Sequence, residues 1–257
     1  MGVIQKRTNA RNELKNLINS DKDIIAVHYS HASFQNITDE ISPMITSIIV
    51  RSLTGNIYEY FGIHIEADLI NLTRQDIKDY YPELELSMLE KFNDFMKRHN
   101  NCYWLHWDMI NINFGFQAIR HRYAKLAGEK KVKDFIEIPS HQKINLNTIL
   151  SEMYGSKYAS SSDKLLAMIN NNDMDKTRYI TLSAEESEFN NLNFKVISDS
   201  VDSKVNAIVS LFNALINKKI KIPNKNSYSI FLDVITHPLF HLIGWIATIL
   251  GVVITVS

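Results

Sequence analysis

The sequence has one cysteine, Cys102, so no disulfide can form within the chain. This is typical of proteins from a reducing compartment. The 28 Lys and Arg residues are balanced by 28 Asp and Glu residues, and a net charge of zero excludes a general electrostatic attraction to nucleic acid, leaving only local patches. The sequence also contains no P-loop, no Gly-x-Gly-x-x-Gly motif and no Gly-x-Ser-x-Gly elbow. The enzyme classes that those motifs define are therefore not indicated.

Charge is absent from the C-terminal end as well. Residues 234–257 contain no Asp, Glu, Lys or Arg. A helix over 239–256 would span roughly 27 Å, close to the thickness of the hydrocarbon core. A buried core helix is the alternative, but such helices usually carry a polar stripe. We expect a single-pass transmembrane anchor over 234–257 in the cell membrane. The soluble domain is expected to be cytoplasmic, because basic residues precede the anchor and none follows it: Lys218, Lys219, Lys221 and Lys225.

The chain before the anchor alternates between short apolar runs, typical of strands, and amphipathic stretches, typical of helices. This order predicts an α/β fold, a mixed sheet flanked by helices on both faces. We predict strands at 24–28, 45–51, 57–66, 102–107 and 136–138, the second and third joined by a Gly-Asn turn, and helices at 8–20, 76–100, 113–127, 146–154, 161–169 and 196–216.

These elements divide the chain into five segments: an N-terminal helical segment (1–21), an α/β domain (22–195), a long helix (196–217), a basic linker (218–233) and the transmembrane anchor (234–257). The apolar positions of the long helix recur close to heptad spacing. This helix therefore either forms a homodimer or packs on its own domain, and both interpretations stay open.

The middle of the chain carries a recognisable order of elements. Residues 90–119, EKFNDFMKRHNNCYWLHWDMININFGFQAI, contain a helix, a strand ending at His106 and an apolar helix start. This order resembles the DEDD 3′–5′ exonuclease family of ribonuclease H-like fold, as do the hairpin over 45–66 and the strand-to-helix segment over 144–155. The resemblance covers roughly residues 22–170. It implies a ribonuclease H-like sheet and a site where four carboxylates hold two divalent metals.

Most of the acids that the resemblance implies are replaced here. His28 and Ser30 stand where the first strand would carry Asp and Glu. Asn111 or Asn113 stands at the second Asp position, and Asp163 matches the last motif. Asparagine is neutral and cannot supply the charge that holds a hard cation. The resemblance therefore implies a nuclease-like domain without nuclease chemistry.

We expect no cofactor for such a domain. A divalent metal, Mg or Mn, is needed only if the chain is an active metal-dependent nuclease, whose candidate catalytic residues are His28, Asp108 and Asp163. A purely structural membrane adaptor is a further alternative. A membrane-tethered sensor or effector, for example in defence, would have this architecture.

Open α/β sheets bind ligands at the carboxyl ends of their strands. There we expect a cleft for nucleic acid, a nucleotide or a protein partner, in which aromatic side chains stack bases and Arg120 meets a phosphate. Three other interpretations stay open: a His/Asp metal site, polar groups closing the rim of the sheet, and an aromatic core beside a solvated basic helix face. The predicted ligand-binding residues are His28, Ser30, His106, Asp108, Asn111, Asn113 and Arg120.

The predicted anchor leads to a fractionation experiment. Full-length protein is expected to stay in the membrane pellet after carbonate washing, because an uncharged segment of about twenty residues is more stable in lipid than in water. A chain ending at residue 225 is expected in the supernatant. Recovery of the full-length chain in a detergent-free soluble fraction would contradict the anchor.

Overall fold

The computed structural model describes residues 2–32, 43–110, 114–159, 161–225 and 230–231. Its strands are β1 (Ile24–His31), β2 (Ile45–Ser52), β3 (Tyr58–Gly62), β4 (Tyr103–His106) and β5 (Lys143–Asn145). Its helices are α1 (Val3–Ile18), α2 (Ile63–Leu69), α3 (Tyr81–Arg98), α4 (Phe116–Ala127), α5 (Leu146–Tyr154), α6 (Lys164–Asn171), α7 (Leu182–Asn190) and α8 (Phe194–Ile216).

The five strands form one mixed sheet in the order β3-β2-β1-β4-β5. Strand β2 is antiparallel to both of its neighbours, whereas β1, β4 and β5 are mutually parallel. The β2–β3 turn contains Gly55 at a φ of 78°, a left-handed conformation that glycine adopts readily. Parallel neighbours need crossover connections, which here contain α3 and α4. The predicted α/β class, a mixed sheet flanked by helices, is confirmed.

Central strand β1 is covered on both faces, because successive side chains of a strand point to opposite sides. Ile25 and Val27 pack in one core with residues of α3 and α4. Ala26 packs in a second core with residues of α1, α5 and α8. Both sides of the sheet are therefore dry along β1, and polar groups at its end need partners from the protein.

Helix α8 lies on this second side of the sheet, against β1 and β2. Its apolar positions, including Val201, Val205 and Ile208, are fully buried in the core. The stripe that suggested a homodimer through 196–217 is thus used within the chain. The long helix packs on the sheet of the α/β domain.

The strands differ from the sequence prediction at three points. The 136–138 run is not a strand, because its backbone is held by a side chain: Ile136 N donates to Asn93 Oδ1 at 2.8 Å. The fifth strand is β5 instead, which pairs with β4. The predicted strand over 57–66 ends at Gly62, and the chain continues as α2, whose Ile63 and Ala67 are buried one turn apart.

The predicted anchor over 234–257 lies outside the described residues. Among the residues that the structure describes, no helix combines the length and the apolar character needed to cross a bilayer.

A buried ion pair joins α3 to α4. Arg122 donates from Nε and Nη2 to the two carboxylate oxygens of Glu85, at 2.8 and 2.6 Å. Glu85 is fully buried and also accepts a hydrogen bond from Ile45 N at 2.6 Å, which fixes the start of β2. One carboxylate therefore connects two helices to the sheet.

Replacing Arg122 by methionine is expected to lower the free energy of unfolding by about 3–5 kcal/mol, because Glu85 would remain buried without its cation. The double variant Glu85→Gln/Arg122→Met should recover most of this loss, since glutamine is neutral and keeps an acceptor for Ile45 N. Urea denaturation measures both.

The matched control is Lys97→Met, which breaks an exposed pair with Asp94 and should change stability by less than about 1 kcal/mol. Equal losses for Arg122→Met and Lys97→Met would contradict a structural role for the buried pair.

Candidate functional site

A cavity of about 750 Å³ opens where β1 and β4 end, as expected for an α/β sheet. The ends of these strands form one side, and the first residues of α6 and α7 form another. Its lining includes His28, Ser30, His31, Trp107, Asp108, Phe114, Asp163, Tyr179, Glu185 and Lys204.

The structure brings several of the predicted site residues together here. His28, Ser30, Asp108 and Asp163 all line this cavity. His28 and Ser30 follow Ala26 on one face of β1. A register shift between Ser30 and His31 breaks the alternation, and His31 lines the same cavity.

Other predicted residues lie elsewhere. His106 lines a separate groove of about 330 Å³ with Phe116 and Lys143. Its side chain is on the face of β4 that carries Trp104, opposite the one that faces the main cavity. Arg120 lies on α4 and is not part of the main cavity's lining. Asn111 and Asn113 are outside the described residues.

A buried ion pair forms the floor of the cavity. Lys204 Nζ donates to Glu185 Oε1 at 2.5 Å, and Ser30 Oγ donates to Glu185 Oε2 at 2.5 Å. Ser200 Oγ is a further donor, at 3.0 Å from Oε1. Both carboxylate oxygens are satisfied, and the Lys204 ammonium also lies 5.0 Å from the ring centroid of Tyr179. Glu185 therefore joins β1, α7 and α8 through one hydrogen-bonded network.

The sequence prediction missed this pair. Glu185 is the one buried residue of α7, a helix that lies wholly within the described chain and shows no apolar periodicity to reveal it. Lys204 did give a signal, because it lies within the buried stripe of α8, between Val201 and Val205. A lysine at such a position needs a buried counter-ion.

Asp163 uses both carboxylate oxygens in holding the cavity wall. Oδ1 accepts from Leu166 N at 3.0 Å and so caps α6. Oδ2 accepts from the Tyr179 hydroxyl at 2.7 Å. Burial and this bond raise the pKa of Tyr179 well above its ordinary value. Asp163 therefore has a structural role, since both of its oxygens hold parts of the cavity wall.

Asp108 follows β4 in a left-handed conformation, with a φ of 55°. Asn145 holds it there: Asp108 N donates to Asn145 Oδ1, and Asn145 Nδ2 donates to Asp108 Oδ1, both at 3.3 Å. Aspartate tolerates this region better than most residues. The pair of bonds fixes the loop between β4 and the cavity.

His28 carries a polar atom that none of the described residues satisfies. Its side chain is buried, and Nδ1 has no hydrogen-bond partner within the described part of the chain. Burial lowers the pKa of His28 well below its ordinary value, and Lys204 and His31 lower it further. The imidazole is therefore neutral near pH 7, with Phe114 packed edge-on at 5.7 Å between ring centroids.

The metal interpretation finds no geometric support in the described ranges. Within those residues, no cluster of three His, Cys, Asp or Glu side chains is close enough to hold a metal ion. Glu185 is already paired with an ammonium group.

Comparison with protein-family models, with curated proteins and with solved structures gives no match to this chain.

The groove at His106 leads to a pH prediction. Burial lowers the pKa of His106 to about 4, and Nδ1 accepts a hydrogen bond from Met109 N at 3.1 Å. In the unfolded chain the imidazole of His106 takes up a proton as the pH falls through about 6.5, whereas in the folded chain it does so only near pH 4. The stability from neutral His106 is thus fully present above pH 6.5 and lost as pH falls towards 4, by about 3 kcal/mol.

His106→Asn keeps an acceptor for Met109 N but cannot titrate, so its unfolding free energy should depend less steeply on pH between 6.5 and 4. Denaturant titrations at several pH values measure this difference. His121→Asn, at an exposed position of α4, is the control and should keep the wild-type slope. An unchanged slope in His106→Asn would refute the assignment.

Proposed function

We propose that this chain is a ribonuclease H-like domain without nuclease chemistry that binds nucleic acid or a nucleotide in the main cavity. We further propose that residues 234–257 anchor it in the cell membrane, with the domain on the cytoplasmic side. The single observation that carries the proposal is the Lys204–Glu185–Ser30 network on the cavity floor.

The order of the strands supports the ribonuclease H-like part. The resemblance implies a first strand, then a hairpin that forms the second and third strands, and then a helix, a strand and a further helix. Strand β1 pairs with the β2–β3 hairpin on one edge and with parallel β4 on the other. Helix α3 precedes β4 and α4 precedes β5.

The charges on the cavity floor support the absence of nuclease chemistry. A two-metal mechanism needs several carboxylates free to bind cations. Here an ammonium group already neutralises Glu185, and His28 and Ser30 supply no negative charge. A divalent cation near Lys204 would meet repulsion from its charge.

The size and the lining of the cavity support ligand binding. A volume of about 750 Å³ lies within the range of roughly 300–1,000 Å³ that ligand pockets occupy. Phe114, Trp107 and Tyr179 supply aromatic surface on which a base can stack. The unsatisfied Nδ1 of His28 supplies a buried polar group for hydrogen bonding.

An active nuclease is the second candidate, because His28, Asp108 and Asp163 line the same cavity. Against it, both oxygens of Asp163 have partners in the protein. The two candidates predict different results: an active nuclease cleaves nucleic acid with Mn²⁺ and loses this activity in Asp108→Ala, whereas a binding domain cleaves nothing.

The experiment uses the full-length chain in detergent with end-labelled single-stranded DNA or RNA and Mn²⁺. We expect no cleavage. Adding nucleoside monophosphates or short oligonucleotides should raise the melting temperature, because the ligand binds the folded state. Phe114→Ala should weaken this binding roughly tenfold through loss of stacking, whereas Tyr80→Ala, at an exposed position, should not.

Cleavage that is lost in Asp108→Ala would establish the nuclease instead. No thermal shift with any of these ligands would refute the binding proposal.

A further inference from the structure

The chain leaves the described domain along a defined path. After α8, residues 218–225, here called the strap, run back over the surface. Lys221 and Asn172 exchange two hydrogen bonds, Lys221 N to Asn172 Oδ1 at 2.8 Å and Asn172 Nδ2 to Lys221 O at 3.1 Å. Asn224 N donates to Tyr158 O at 3.2 Å. The strap is therefore held against the domain up to Lys225.

The strap ends at a groove of about 510 Å³ between the first turn of α1 and the end of α5. Lysines from three segments line it, Lys6, Lys157 and Lys225, together with one acid, Glu152. The first turn of α1 also exposes apolar side chains, with Val3 at 55% and Ile4 at 61%. We call Val3, Ile4, Lys6, Lys157 and Lys225 the exit surface.

The length of chain beyond the strap limits where this surface can lie. Residues 226–233 separate Lys225 from the proposed anchor and reach at most roughly 30 Å when fully extended. A domain of this size has a radius of gyration of roughly 17 Å, and its diameter exceeds that reach. Lys225 therefore cannot lie on the side of the domain farthest from the bilayer, and the linker is short enough for the exit surface to reach the lipid headgroups.

We propose that the exit surface docks on the anionic lipid headgroups of the membrane that holds the anchor. Lysines near such a surface are attracted to it within a Debye length. Exposed apolar side chains beside basic ones are typical of helices that lie in the interface. The strap adds to the positive charge through Lys218 and Lys219, whereas Lys221 pairs with Asp173 at 2.5 Å. This inference rests on the membrane anchor of the proposed function.

The test uses the full chain in vesicles that contain a nitroxide-headgroup lipid as quencher. Cys102, which is buried, is replaced by alanine, and a single cysteine at Ile4→Cys carries a fluorophore. The matched label is at Lys131→Cys, an exposed position beside α4, on the opposite face of the sheet from α1. One set of vesicles is phosphatidylcholine alone, and the other contains phosphatidylserine as well.

With phosphatidylserine present, we expect at least about twofold stronger quenching at position 4 than at position 131. Lys6→Glu/Lys157→Glu should reduce the quenching at position 4 by roughly half, whereas the matched Lys131→Glu/Lys133→Glu should leave it unchanged. High salt should also reduce the quenching at position 4, as Lys6→Glu/Lys157→Glu does, because salt screens the attraction between lysines and anionic lipids.

Two results would overturn the docking while the anchor stands: the chain floats with the vesicles but both labels are quenched equally, or position 4 is quenched equally with and without phosphatidylserine. A full chain that does not float with either vesicle would refute the anchor, and the docking with it.

Discussion

The structure depends on the burial of β1 on both faces and along both edges. Ile25, Ala26 and Val27 are fully inaccessible to solvent, and the strand is hydrogen-bonded to β2 and β4. A strand in this position cannot hydrate the polar side chains at its end. Ser30 finds its partner in Glu185, more than one hundred and fifty residues later in the chain. Nδ1 of His28 finds no partner among the residues that the structure describes, at the place where the cavity opens.

The buried carboxylate of Glu185 creates a second requirement, because an uncompensated charge in this environment is strongly destabilising. Lys204 meets it from α8, and this explains why a lysine interrupts the apolar stripe of that helix. The network therefore joins the end of the sheet to its covering helices. It also sets the chemistry of the cavity, since an ammonium group and neutral histidines favour hydrogen bonding and stacking over the binding of hard cations.

The cavity and the exit surface are built by different parts of the domain. The cavity lies at the ends of β1 and β4, whereas the exit surface combines the first turn of α1 with residues following α5 and the end of the strap. Asn172 and Tyr158 hold the strap along the domain, so the point of departure of the C-terminal segment is fixed by tertiary contacts.

The sequence by itself determined the class of fold, the strands β1, β2 and β4 and most helices, because apolar periodicity records which side of each element is buried. It also marked His28, Ser30 and Asp108, which lie at the ends of predicted strands, whereas Asp163 was marked by the exonuclease resemblance. It did not determine α7, β5 or the Lys204–Glu185 pair. Helix α7 buries a glutamate and no apolar stripe, β5 is three residues long, and the 136–138 run is held by Asn93. Only the tertiary structure decided that His106 faces away from the cavity and that Asp163 caps α6 and holds Tyr179. Both outcomes depend on how elements far apart in the sequence pack together.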